Sequence, residues 1–401
     1  MRFLLVTVFV DLLGLGIVVP VVPALMVDLT GRSADAVAWS GLLGSAFGLA
    51  QFLTAPLLGR LADRYGRRPV LLASLACLGL DWVGHALTPT VGLLLVCHAI
   101  AGACAGTTTV VNAYVADVTP PERRADAYAL VGSAFGLGFV AGPVLGGLLG
   151  AVDPRLPFWA AAGLALANVA YGWRVLPESR PGDRTTPLRP NVANPLGAIA
   201  AVLRRPVLGR LTVARFCADV ARMTHQSMWT FFVTCQFAWT TAQVGVTMAA
   251  GALAGAAFQA RAVGPVVRRL GDRRAAVLGG AAGATALGGL AFATTPAAVY
   301  GLQAVGVLGA VGAAATQSLI SRATGDAEQG AVNGALTGVA AVAELTVPIT
   351  AGALFAWSLG HGAPGAVFLG AALFAGASVT LIATSGGPPP QADSPMEAEQ
   401  G

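Results

Sequence analysis

The sequence predicts an all-α membrane protein of twelve transmembrane helices in two pseudo-symmetric six-helix bundles. Three observations lead there: a composition too apolar for water, apolar runs of spanning length, and an internal repeat. Of 401 residues, 55% are hydrophobic and only 11% are charged, and the mean hydropathy is +0.71. A soluble domain carries about 25% charged residues. The shortfall excludes a soluble, a disordered and a disulfide-stapled secreted chain. The net charge of +5 comes with Arg alone among the strong bases, and in a membrane protein such an excess marks cytoplasmic loops. No nucleic-acid partner is expected.

A spanning helix needs about 20 predominantly apolar residues. On that ruler the spans run near 3–26, 37–59, 69–88, 91–116, 126–150 and 157–177, then 207–234, 243–266, 275–294, 297–320, 330–357 and 363–384. The first bundle is therefore residues 1–177 and the second 207–384. Residues 178–206, rich in Pro, Gly and Arg, read as a cytoplasmic linker. The Pro-rich, acidic tail at 385–401 reads as disordered. The N-terminus has no small-residue cleavage site after its apolar run, so it reads as a retained first span. Cys77, Cys97, Cys104, Cys217 and Cys235 lie in apolar runs without a CxxC pair and read as buried free thiols.

Arginine sets the orientation. Arg60, Arg64, Arg67, Arg68, Arg123, Arg124, Arg204, Arg205, Arg268, Arg269, Arg273, Arg274 and Arg322 all fall after even-numbered spans. Both termini are thus expected in the cytoplasm. The halves also repeat. GRLADRYGRRP from Gly59 returns as GPVVRRLGDRR from Gly264, and YALVG ending at Gly132 returns as GALTG ending at Gly338. Parallel repeats of this kind build secondary transporters whose halves rock around a midplane site.

At this point the residues carry a resemblance. GRLADRYGRRPVLL (59–72) and FGLGFVAGPVLGG (135–147) resemble motifs of the drug/proton antiporters of the major facilitator superfamily. DLLGLGIVVPVVP (11–23), GLAQFLTAPLLG (48–59), NAYVADVTPPERR (112–124) and LALANVAYGWRVLPES (164–179) resemble its tetracycline-resistance branch. In the second half, HQSMWTFFVTCQFAW (225–239) and the Arg-rich 264–274 loop continue the likeness. The resemblance implies a bacterial inner-membrane exporter of a small amphipathic, tetracycline-like drug, driven by protons through alternating access. A metabolite transporter with altered or no proton coupling is the alternative.

The motifs have a physical reading of their own. Gly59, Asp63, Arg64, Gly66, Arg67, Arg68 and Asp117 form a candidate cytoplasmic gate: the glycines allow close helices and a tight turn, and the opposite charges can pair and part. Simple topology-setting charges are the plainer reading of the same residues. Gly138, Gly142, Pro143 and Gly146 give the fifth span a smooth packing seam.

Ionisable groups inside spans cost about 2.5–3.5 kcal/mol each at a helix centre, so each asks for a reason. A carboxyl in apolar surroundings can load and release a proton. Asp11 and Asp81 match membrane carboxylates of the tetracycline/proton antiporters, and with His98 and Glu344 they are the proton-coupling candidates. Structural hydrogen bonding is the alternative for Asp81; Glu344 has to be protonated, paired across helices or cation-binding. Arg215, Asp219, Arg222, His225 and Gln226 crowd the seventh span. The i,i+4 and i,i+3 spacings place the Arg–Asp–Arg set on one face, to neutralise itself or to hold substrate. With Gln51 and Asn112, for which helix–helix contact is the plainer reading, these are the substrate-binding candidates. The sequence departs from the family twice: His98 stands where the resemblance implies an Arg, and the ninth span lacks an acidic residue.

Motifs for ATP binding, zinc hydrolysis or a nucleophile elbow are missing, so a transporter is expected, with no catalytic residues, cofactor or metal site. The expected partners are drug, protons and lipid, around a monomer.

Overall fold

The computed structural model describes residues 2–105, 107–120, 123–179, 195–324 and 329–385. Among them every regular element is helical. The first half holds α1 (Arg2–Val18), α2 (Val22–Thr30), α3 (Ser33–Tyr65), α4 (Arg67–Leu87), α5 (Val91–Cys104), α6 (Thr107–Val118), α7 (Arg124–Gly150) and α8 (Leu156–Val175). After α9 (Pro195–Leu203) come α10 (Pro206–Phe237), α11 (Thr241–Phe258), α12 (Gly264–Leu270) and α13 (Asp272–Ala291). The last are α14 (Pro296–Val307), α15 (Gly309–Arg322), α16 (Gln329–Gly360) and α17 (Ala366–Thr384).

Among the described residues, eight segments are long and apolar enough to cross a membrane: Phe3–Thr30, Ser33–Thr54, Arg67–Leu87, Leu130–Gly150, Thr241–Leu270, Pro296–Arg322, Val332–Gly360 and Ala366–Thr384. The other four expected stretches fall on α5 with α6, on α8, on α10 and on α13. Charge explains one of them, because α10 carries Arg210, Arg215, Asp219 and Arg222. A break explains another: the expected fourth span stops being α-helical after Cys104 and resumes at Thr107. Backbone freed by such a break has to be satisfied by neighbouring side chains. Here Gln51 donates to the Ala105 carbonyl at 3.2 Å and Thr54 to the Ala103 carbonyl at 2.9 Å.

Small residues set which helices touch. A Cβ on Gly142 would stand 2.6 Å from Gly16 Cα, one on Gly138 would stand 2.8 Å from the Phe9 carbonyl, and one on Gly146 would run into the Ile17 carbonyl. Helix α7 therefore lies directly on α1. Its other face meets α11, where Gly245 abuts the Pro143 carbonyl and Gly147 the Thr241 carbonyl. In the same way Gly41, Gly44 and Gly48 of α3 receive Pro348 and the Glu344 backbone of α16. Pro143 and Pro348, each inside its helix, stand at the 205-residue offset of the sequence repeat. Replacing Gly142 by Leu is expected to lower the melting temperature of the detergent-solubilised protein by several degrees. Overpacking of this kind costs about 1–3 kcal/mol or more, and an unshifted melting curve would show that the seam tolerates separation.

One expectation gains detail and one is corrected. Part of the expected linker is helix α9, which packs on α16 and α10, with Ile199 against Gly338. Its apolar stretch, PLGAIAAVL, finds an apolar wall, whereas residues 180–194 and the tail from 386 lie outside the described residues. Cys77 and Cys104 are joined as a disulfide, Cα atoms 6.2 Å apart, because α4 passes the point where α5 ends. Cys97, Cys217 and Cys235 are free thiols, as expected.

Candidate functional site

Helix α10 carries the densest polar set in an apolar setting. The Asp219 side chain is only 5% exposed. Its Oδ2 accepts from Arg215 Nε at 2.9 Å and its Oδ1 from an Arg222 guanidinium nitrogen at 3.3 Å. One carboxylate thus faces two guanidinia, and the cluster retains a net positive charge. Each Arg has a further acceptor: Arg215 donates to Gln317 Oε1 on α15, and Arg222 to Gln226 Oε1, both at 3.2 Å. The Arg fork suits such divided bonding.

These residues open onto a cavity of about 660 Å³, within the size range of small-molecule sites. Arg215, Asp219, Arg222, His225 and Gln226 line one wall; Met248, Leu287, Leu290 and glycines of α13 and α15 form the apolar remainder. The His225 ring packs 6.1 Å from Phe368. Trp229 also lines the cavity, and its buried indole N–H has no hydrogen-bond partner among the described residues. Reading the sequence missed Trp229, although it stands one helical turn after His225, and Gln303 of α14, which also lines the cavity and whose one available signal was a polar side chain inside an expected span.

The remaining candidates lie elsewhere. None of Asp11, Gln51, Asp81, His98, Asn112 or Glu344 lines this cavity. Asp11 is half-buried on α1, and Asn112 is on an exposed face of α6. Gln51 is engaged with the break after α5. Glu344 is exposed on α16, in electrostatic reach of Arg222 and Asp219. Asp81 is buried beside His85, at 3.2 Å, and His85 in turn meets His98 at 2.9 Å. His85 was not read from the sequence; its i,i+4 spacing from Asp81 was the available signal.

At one end of the molecule, Gly59 and Asp63 on α3 lead into Gly66, whose φ of 101° turns the chain into α4. Arg67, 8% exposed, bridges Asp63 at 2.6 Å and Asp117 at 3.1 Å. Glu178 accepts the backbone N–H groups of Arg67 and Arg68, an anion at a helix N-terminus. The Arg68 guanidinium reaches the Trp173 carbonyl, and that of Arg64 lies 5.7 Å from the Tyr65 ring centroid.

The second half builds the same device with inverted polarity. Gly271 repeats the positive φ. Asp272 stands at the offset of Arg67, Arg322 at the offset of Asp117, and the two pair at 2.9 Å. Ser318 adds a hydrogen bond to Asp272, and Arg273 reaches the Ala383 carbonyl. Two interhelical ion pairs, swapped in sign, thus occupy one repeated position.

A helical chain with a repeated turn, paired prolines and a polar cavity has well-defined relatives. Residues 4–235 match the sequence model of the Major Facilitator Superfamily. The chain belongs to that family. It is a major facilitator transporter and not an enzyme. It is 35% identical to the tetracycline resistance protein, class C, of Escherichia coli, over 92% of each chain. It is 34% identical to the class G tetracycline resistance protein of Vibrio anguillarum, over 89% of this chain and 90% of that one. Among solved structures, the human organic anion transporter MFSD10 superposes with a TM-score of 0.68 at 22% identity, covering 95% of this chain and 98% of that one. This last likeness speaks to the major facilitator fold alone.

Proposed function

We propose that this major facilitator protein exports a small amphipathic drug of the tetracycline class in exchange for protons. The carrying observation is the cavity on α10: a net-positive Arg–Asp–Arg cluster against an apolar wall suits a flat molecule with an anionic or enolate edge. Similarity to tetracycline resistance proteins over nine-tenths of the chain supports the same substrate class. Twelve spans form two bundles, both termini lie in the cytoplasm, and the protein works as a monomer. The Arg67 and Asp272 latches face the cytoplasm, and their ion pairs part and re-form as the halves rock. The glycine contacts of α3 with α16 and of α7 with α11 close the outer end, so the cavity loads from inside.

Asp11 and Asp81 carry protons inward as drug leaves. In everted vesicles, adding tetracycline is expected to collapse part of an imposed proton gradient, and Asp11→Asn is expected to abolish that response. Undiminished gradient-driven drug uptake by the Asn variant would remove Asp11 from the coupling path.

A further inference from the structure

Two histidines turn Asp81 into the end of a chain of polar atoms. His85, on α4 one turn after Asp81, has a side chain 3% exposed, and that of Asp81 is 1% exposed. His85 Nδ1 lies 2.9 Å from the Asp81 backbone carbonyl and 3.2 Å from its Oδ2. His85 Nε2 lies 2.9 Å from His98 Nδ1 across the α4–α5 contact, and His98 Nδ1 is also 3.3 Å from the Leu94 carbonyl. Phe158 stacks on the His85 ring with centroids 5.7 Å apart, which holds the ring in this orientation.

Carbonyl oxygens only accept, so the two backbone contacts fix the tautomers. Nδ1 of His85 carries a hydrogen because it faces the Asp81 carbonyl. Nδ1 of His98 carries one because it faces the Leu94 carbonyl. His85 Nε2 is then bare and accepts from His98. In the neutral form of the two rings, both N–H groups lead toward Asp81. The carboxylate itself is left short: the His85 N–H is spent on the backbone carbonyl, and neither carboxylate oxygen of Asp81 has a hydrogen-bond partner among the described residues. Such a group gains by accepting a proton.

We propose that His98, His85 and Asp81 form a directional proton wire, with His85 as its obligatory link. The inference rests on the proton-coupled reading above. A proton binds His98 Nε2; the His98 Nδ1 proton moves to His85 Nε2; the His85 Nδ1 proton moves to Asp81 Oδ2. One proton enters and one carboxylate is neutralised. Each ring ends neutral with its hydrogen on Nε2, and rotation of the rings resets the wire. His98, half-buried where Asp81 and His85 are buried, is the entry.

Among the described residues, few other charges face the wire. Cys97 lies beside it on α5, with Sγ against Gly84 of α4. Arg155, ahead of α8, reaches the Ala86 carbonyl at 3.2 Å and pairs with Asp28 of α2 at 3.7 Å. The ionisable groups of α3 and α6 lie toward their ends, at Asp35, Arg60, Asp63, Arg64, Tyr65, Tyr114 and Asp117.

The test uses reconstituted full-length protein with tetracycline as probe. His85→Phe keeps a ring against Phe158 and removes both nitrogens. It is expected to retain drug–drug exchange across the membrane, which needs no net proton movement, and to lower proton-driven drug transport about tenfold or more. Proton-driven transport at the wild-type rate and pH profile in His85→Phe would overturn the wire while leaving the proposed function intact. Wild-type protein that moves no protons with drug would instead overturn the underlying reading. A second measurement needs no variant: nitrogen-15 histidine NMR on the wild-type protein, which has four histidines. Neutral rings are expected at both His85 and His98, their hydrogens shifting together from Nδ1 to Nε2 as the proton is loaded, and a standing imidazolium at His85 would overturn the assignment.

Discussion

Asp219→Asn is expected to reduce drug binding roughly 30- to 150-fold while the protein still reaches the membrane. The argument is one of uncompensated charge. A buried carboxylate holds two guanidinia, and removing one partner of a buried pair costs about 3–5 kcal/mol. Arg215 and Arg222 have side chains 35% and 53% exposed, so solvent screening brings the loss to roughly 2–3 kcal/mol. Binding the drug means re-ordering both freed side chains, and a loss of that size passed to binding is the stated factor at 1.4 kcal/mol per decade. Without the carboxylate, both Arg side chains lose the anchor that aims them, and the cavity wall becomes more positive and less ordered. Quenching of Trp229 fluorescence by added tetracycline measures the effect, with Trp229→Phe as the baseline for the other tryptophans. Asp219→Glu keeps the charge and is expected to fall between wild type and the Asn variant. Wild-type quenching in Asp219→Asn would show that the triad neutralises itself and does not hold substrate.

Much of the fold could be read from the residues because membrane burial writes itself in long apolar runs. Where the reading slipped, the cause was local. Nothing apolar distinguishes the stretch around Gly102, Cys104 and Thr107 from a continuous span, yet small residues there let α3 approach closely: a Cβ on Gly102 would meet the Phe47 backbone. Gln51 reads from the sequence either as a helix–helix contact or as a substrate ligand, and the structure shows it in contact with the Ala105 carbonyl. Helix α9 was hidden by its position between Pro-rich sequence and Arg204. The Arg215–Asp219–Arg222 set was legible from helical spacing alone, since its ion pairs lie on one helix. The i,i+4 spacing of His85 from Asp81 was available too, but its meaning depends on His98 across a helix–helix contact that no local pattern encodes. Much of the remaining cavity wall is glycine and alanine, chemically silent in sequence and informative only when packed.

The ion-pair latches lead to the second large effect. Arg67→Asp is expected to abolish transport and lower stability by about 3–5 kcal/mol, the loss for a buried cation replaced among its own counter-charges. The new carboxylate would face Asp63 and Asp117 with Glu178 at the same turn. Yet the position does not require a cation. The second half places Asp272 there and answers it with Arg322 at 2.9 Å, on the same backbone turn. Reversing Asp117 to Arg together with Arg67 to Asp therefore gives the first latch the polarity of the second. Asp63 still opposes the change, and its counterpart in the repeat is Arg268. Adding Asp63→Arg is expected to recover most of the stability and much of the transport, in the order single, double, triple. Melting temperatures of purified variants and drug uptake in everted vesicles give the two readings. If stability returns and transport does not, the first latch needs its own polarity for gating, and the opposite signs in the two halves are a functional asymmetry. If neither returns, Arg67 is held by more than charge, and the donation of its backbone N–H to Glu178 becomes the next bond to break.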